Sequence, residues 1–191
     1  MPRPSVKEQL IEAAVETLHR QGFNATGVQS IVDAAGVPKG SFYNHFESKE
    51  ALGVESLDRY WQGVLRSLSI LRDPEIPPVP RLKAYFRSLD EILRKRKYLS
   101  GCMIGNMATE MADQSSLIRE HLAMILAAWT RAIESCVKEA QADGSMRKDI
   151  DSRSIASFLL NAWEGTVMRG KVDKDRSALA AFEKVVFTTL C

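Results

Sequence analysis

The chain has 191 residues, 45% hydrophobic and 26% charged with a net charge of +2, which excludes a disordered or collagen-like chain and gives no overall electrostatic sign of a nucleic-acid partner. Three cysteines, Cys102, Cys136 and Cys191, exclude a disulfide-rich scaffold and suit free thiols in a reducing compartment. No signal-peptide pattern follows Met1, and the longest apolar run, Ala123 to Trp129, is too short for a bilayer, so a cytoplasmic protein without a membrane partner is expected.

Ser5 followed by Glu8 predicts a capping box opening the first helix, with Val6, Leu10, Ala14 and Leu18 on one face. Gly22 is expected to end it as a left-handed cap, with Phe23 folding back. Thr26 followed by Gln29 reads as a second capping box, and Val28, Ile31, Val32 and Ala35 form the apolar side of the helix it opens. Gly36 permits a tight turn. Pro38 suits the first position of a third helix, where its missing N–H has no helical partner anyway. That helix offers Lys39, Gly40, Ser41, Tyr43, Asn44 and His45, while Phe42 and Phe46 are expected in the core.

A longer helix is expected from Ser48, with Leu57, Trp61, Val64, Leu68 and Leu71 at helical spacing, until Asp73 to Pro80 breaks it. Four of the seven prolines fall between Pro74 and Pro80 and none follows, so long uninterrupted helices are permitted beyond. Helices are predicted over Arg81 to Lys97, Gly101 to Met111, Ser116 to Asp143, an Asp151 cap to Gly170, and Asp175 to Leu190. No run alternates as a strand would. The fold class is all-α, with about nine helices: a three-helix helix-turn-helix head over residues 1–49 and a helical bundle over residues 50–191.

Two short helices around a glycine turn, followed by an aromatic and basic tip, make the pattern of a helix-turn-helix DNA reader. Residues 1–50 hold five Lys/Arg against six Asp/Glu, so attraction to phosphate must be local. Arg3, Lys7, Lys39 and Lys49 would have to share a face. These residues resemble the TetR/AcrR family of bacterial repressors, most specifically at Thr26, Ile31, Ala35-Gly36-Val37, Lys39-Gly40-Ser41-Phe42-Tyr43, His45-Phe46 and Ser48-Lys49-Glu50 with Leu52. The resemblance implies a homodimer whose heads bind double-stranded operator DNA, a body that binds a small-molecule effector, and no cofactor. It places Lys39, Gly40, Ser41, Tyr43, Asn44 and His45 on the recognition helix, Thr26 and Lys49 at phosphates, and Gln29 at a base unless the capping box occupies it. Pro38 departs from the family's frequent serine, whose hydroxyl could bond phosphate.

Cys102 follows Gly101 and opens a short helix, where free N–H groups and the helix dipole favour a thiolate; the run Arg94 to Lys97 adds nearby positive charge. The segment Gly101-Cys102-x-x-Gly105-Asn106, with Glu110, Met111 and Ser115, resembles an N-ethylmaleimide-responsive branch of that family, which implies sensing of reactive electrophiles or oxidants through Cys102. The alternative is a small buried residue. Lys171, expected just past a helix end, is a candidate partner of that thiol. Trp61, Trp129, Trp163, Met103 and Met107 are candidate pocket walls or plain core.

Phe158, Ala162, Leu179, Phe182 and Val186 on the last two helices are expected to form a four-helix dimer interface. An effector or a modified Cys102 would then move the Gly101–Met111 helix against the Ser48–Arg72 helix and change head spacing. A non-covalent apolar effector with no role for Cys102 is the competing reading. An enzyme is not expected, because no phosphate loop, nucleophile elbow or metal-spaced histidine pair is present.

Overall fold

The computed structural model describes residues 4–191. Nine α-helices and no strand are found among them: α1 Val6–Gln21, α2 Val28–Ala35, α3 Lys39–Tyr43, α4 Lys49–Leu68, α5 Pro78–Lys95, α6 Met103–Met111, α7 Ser116–Ala142, α8 Ser152–Asp173 and α9 Ser177–Thr189. A 3₁₀ turn, Ser69–Arg72, continues α4. Among the described residues no helix is long and apolar enough to cross a membrane.

Local chemistry sets several of the boundaries. Ser5 Oγ accepts from Glu8 N at 3.3 Å while Ser5 N donates to the Glu8 carboxylate at 3.1 Å, completing the expected capping box. Gly36 takes φ 67° and ψ 32°, the left-handed geometry expected of the turn. Asp151 accepts from Ser154 N at 2.9 Å and opens α8. Gly22 has a positive φ of 88° but a ψ of 162°, so α1 ends in an extended mirror conformation, not a left-handed helical cap. The helix expected from Arg81 already begins at Pro78, because prolines in a first turn cost no hydrogen bond there.

The chain divides into two compact units, with divisions inside α4 after Gly63, before α6 after Gly101, and inside α7 after Ala123. The described part of the first unit is residues 4–63 with Cys102–Ala123. All the described residues expected in the reading head, 4–49, fall here, together with most of α4, all of α6 and the start of α7. Its core joins Leu10, Ala14 and Leu18 of α1 to Ile31 and Val32 of α2, and adds Phe42, Phe46 and Leu52.

The second unit comprises Val64–Gly101 and Met124–Cys191. Trp129 is fully buried, and its indole N–H donates to the Tyr85 hydroxyl at 2.6 Å. Phe86 lies 5.5 Å from Trp163 and 5.0 Å from Phe182, ring centre to ring centre. Buried Arg81 donates to the Leu71 carbonyl at 2.8 Å and to the Glu139 carboxylate. Burial pushes the Asp90 carboxyl above its usual range, against the lowering effect of the Tyr98 hydroxyl donating to it at 3.2 Å.

Candidate functional site

Phe42 is fully buried and Phe46 is buried beside it, their ring centres 5.7 Å apart. These two anchors fix the turn between α3 and α4 from below. On the outer side Lys39, Gly40, Asn44 and His45 are exposed, Ser41 is half-buried, and Tyr43 is 61% exposed. The Tyr43 ring stands edge-on to Phe42 at 5.1 Å, so its phenol is presented from a supported ring. A Cβ at Gly40 would meet nothing within 4 Å, so the backbone there is open to close approach. An ammonium, a phenol, an amide and an imidazole on one short segment can donate to phosphate and read base edges.

The helix itself is shorter than expected. α3 ends at Tyr43, Asn44 is its cap, and His45 lies in the following turn, held by His45 N donating to Phe42 O at 3.0 Å. Pro38 sits one position earlier than expected, as the N-cap, with no side-chain capping bond.

Thr26 is corrected most clearly. It is fully buried and does not cap α2; its hydroxyl donates to Gly22 O at 2.7 Å, and Gly27 is the N-cap. A hydroxyl with that partner and no exposure does not reach a phosphate. The second capping box is therefore absent: Gln29 is exposed and its amide donates to Asp33 at 2.8 Å. The α2 N-terminus, without a side-chain cap, leaves backbone N–H groups as anion donors instead.

The expected row of cations also changes. Arg3 lies outside the described residues. Lys7 pairs with Glu55 at 2.8 Å. Lys49 donates to Phe23 O and Thr26 O, each at 3.0 Å, with its ammonium 4.3 Å from the Phe23 ring centre. Lys39 remains exposed on the α3 face. Lys49→Met should therefore lower the stability of the first unit by about 1–3 kcal/mol and leave the salt dependence of DNA binding unchanged. A phosphate contact would instead reduce the slope of log K against log salt by about 1, which anisotropy titrations at several salt concentrations would detect.

Cys102 is the N-cap of α6, with φ −97° and ψ 125°, and is 7% exposed. Met103 and Met107 are buried on the same helix, and Trp61 is buried on α4 in the same unit. Trp129, Trp163 and Lys171 belong to the second unit. There Trp129 and Trp163 are satisfied core residues, as their partners above show, and not open pocket walls. Lys171 lies inside the last turn of α8, which runs to Asp173, and not past the helix end. Cys136 is fully buried; its thiol donates to Pro78 O at 3.4 Å, and burial pushes its pKa up to about 11, so it stays a thiol near neutrality. Two clefts in the second unit, of about 1000 and 510 Å³, are lined by α5 with α9 and by the Pro74–Pro78 segment with the end of α7; none of the expected sensor residues lines either.

Leu179, Phe182 and Val186, expected on a dimer face, are buried in the core of their own chain; Phe182 is held between Phe86 and Trp163. Ala162 is half-buried and Phe158 is exposed. Of the residues expected on that face only Phe158 is an exposed large apolar side chain; Met168 and Val172 of α8 and Val185 of α9 are exposed as well, with Val172 73% exposed. Phe158, Met168 and Val172 lie ten and four residues apart, close to three turns and one turn of helix, so they share one side of α8.

Residues 10–55 match the family model described as bacterial regulatory proteins, tetR family, and residues 78–186 match that described as tetracyclin repressor-like, C-terminal domain. The chain is 38% identical over 191 residues to the HTH-type transcriptional repressor DhaR of Mycobacterium sp. strain GP1, covering 100% of this chain and 94% of that protein. It is 25% identical over 191 residues to the HTH-type transcriptional repressor NemR of Escherichia coli strain K12, covering 95% and 94% of the two chains. A solved structure of a regulatory protein TetR from Rhodobacter sphaeroides matches with a TM-score of 0.92 at 30% identity, over 97% of this chain and 99% of that one. With both family models matched and a relative of this identity along its whole length, the chain belongs to the TetR family of bacterial regulatory proteins, which are transcriptional regulators and not enzymes.

Proposed function

We propose that the protein is a homodimeric transcriptional repressor that binds operator DNA through the α3 segment and is released when its effector, a reactive electrophile or oxidant, modifies Cys102. One observation carries the DNA reading: Lys39, Tyr43, Asn44 and His45 are exposed together while Phe42 and Phe46 beneath them are buried. The relatives DhaR and NemR are transcriptional repressors. One head reads one half-site, so the second copy supplies the second half-site of a palindrome. The exposed stripe Phe158, Met168 and Val172, with Val185 on α9, supports pairing through α8 and α9.

The position of Cys102 at the N-terminus of α6 supports the sensing half of the proposal. α6 shares its compact unit with the head, so a change at Cys102 acts on the element that carries the reader. The burial of Cys102 favours a second reading, a reversible apolar effector with the thiol as a core residue.

The test is a fluorescence-anisotropy titration against DNA from the region upstream of the protein's own gene, backed by random-site selection. It uses a Cys191→Ser background, because Cys191 is exposed and would also react. Reduced protein should bind tightly. With so few cations at the α3 face, the slope of log K against log salt should be shallow, about −2 to −4. Stoichiometric N-ethylmaleimide should release the protein bearing Cys102 and leave Cys102→Ser bound. Release of both, or of neither, would reject the covalent reading and leave the reversible effector; failure to bind any selected DNA would reject the repressor.

A further inference from the structure

The α1–α2 loop, residues 22–26, is short, and its backbone groups are taken up by its own Thr26 and by side chains from two other elements. Thr26 Oγ1 donates to Gly22 O at 2.7 Å. The Lys49 ammonium at the start of α4 donates to Phe23 O and Thr26 O. The remaining grip comes from α6: Asn24 N donates to Glu110 Oε2 at 2.9 Å, across 86 positions of sequence. The other carboxylate oxygen, Oε1, lies 2.5 Å from where a Cβ at residue 22 would stand, so a side chain there would push the carboxylate aside and would itself be strained at φ +88°. The same helix also approaches α4 of this unit, since a Cβ at Gly53 would lie 3.5 Å from Met107 Cε.

We propose that Glu110 is a positioning residue that fixes the entry into α2, and through it the attitude of the α3 reading segment. The loop runs directly into Gly27, the N-cap of α2, so a shift at Asn24 is passed to the helix start one peptide after Thr26. Lys49 grips the loop's carbonyls and Glu110 grips its amide, each with a charged group, which makes both bonds stronger than neutral ones. Glu110 lies eight residues along the helix capped by Cys102, a rise of about 12 Å. α6 therefore acts as a rigid bar with the candidate sensor at one end and the loop contact at the other. The proposal rests on the DNA reading above but needs neither an effector nor reactivity at Cys102.

The test compares wild type with Glu110→Ala and Glu110→Gln in the full chain. Without DNA, hydrogen exchange at the Asn24 amide should accelerate about tenfold in Glu110→Ala, the worth of one charge-assisted hydrogen bond. Glu110→Gln, whose side-chain carbonyl still accepts, should stay close to wild type. With selected operator DNA, Glu110→Ala should bind about tenfold more weakly at an unchanged salt slope, with Glu110→Gln restoring most of the affinity. Unchanged Asn24 exchange in Glu110→Ala would overturn the contact. Accelerated exchange with unchanged operator affinity would overturn its positioning role. Failure of wild type to bind any DNA would instead defeat the DNA reading and with it the positioning role, and the exchange experiment would report on the contact separately.

Discussion

Phe42→Ala should strongly destabilise the reading head and cut operator affinity more than a hundredfold. The ring is fully buried, 5.7 Å from Phe46 and 5.1 Å from Tyr43, in the one turn that carries every exposed group of the α3 face. Removing such a side chain costs about 3–5 kcal/mol, against a total stability of about 5–15 kcal/mol for a whole domain. α3 has five residues, too few to hold helical shape without tertiary support. Urea unfolding followed by far-ultraviolet circular dichroism should show an early transition, and anisotropy should show operator affinity down by more than a hundredfold. Tyr43→Ala, on the exposed side of the same turn, should weaken binding while leaving the unfolding curve in place. Affinity within tenfold of wild type for Phe42→Ala would mean that the turn is held by something other than its aromatic floor.

Trp129→Ala should be the most damaging single change in the second unit. It empties a fully buried indole site and leaves the Tyr85 hydroxyl without the donor that now sits 2.6 Å away. The cavity costs about 3–5 kcal/mol, and the loss of this hydrogen bond adds about 1 kcal/mol. At roughly 2–4 °C per kcal/mol for a chain of this size, Tm should fall by at least about 10 °C. Trp129→Phe refills much of the space and should cost clearly less. Tyr85→Phe combined with Trp129→Phe should cost less than the sum of the two, because both changes remove the same hydrogen bond. Differential scanning calorimetry on the four proteins separates cavity from hydrogen bond; equal losses for Phe and Ala at position 129 would deny the site its packing role.

The helices were legible because their signals are local. Ser5 and Glu8 lie three residues apart, Gly36 must adopt its own dihedral angles, and Asp151 caps the helix it precedes. Misreadings arose where a residue had two plausible partners. Thr26 could cap α2 or bond backward to Gly22, and only the fold brings that carbonyl to 2.7 Å. Lys49 could reach outward to phosphate or inward to two loop carbonyls, and the inward choice depends on where residues 23 and 26 are held. α9 is apolar on more than one side, so the pattern alone does not separate Phe182, which is buried, from Val185, which is exposed. Glu110 was invisible as a head contact because its partner is a backbone amide 86 positions away, and a backbone amide carries no sequence signal.

The discontinuous first unit has a consequence during synthesis. Its described segments, 4–63 and 102–123, are separated by 38 residues of the other unit. A ribosome therefore releases α1 to α3 well before it has made the carboxylate that grips the loop between the first two. Until α6 has emerged, the nascent chain has an unclaimed Asn24 amide and no Met107 beside Gly53. An N-terminal fragment ending at Gly63 should accordingly be more protease-sensitive than the same residues within the whole chain. The reader is thus completed only when the segment that begins at Cys102 has been translated, so a truncated translation product would be a poor competitor for the operator.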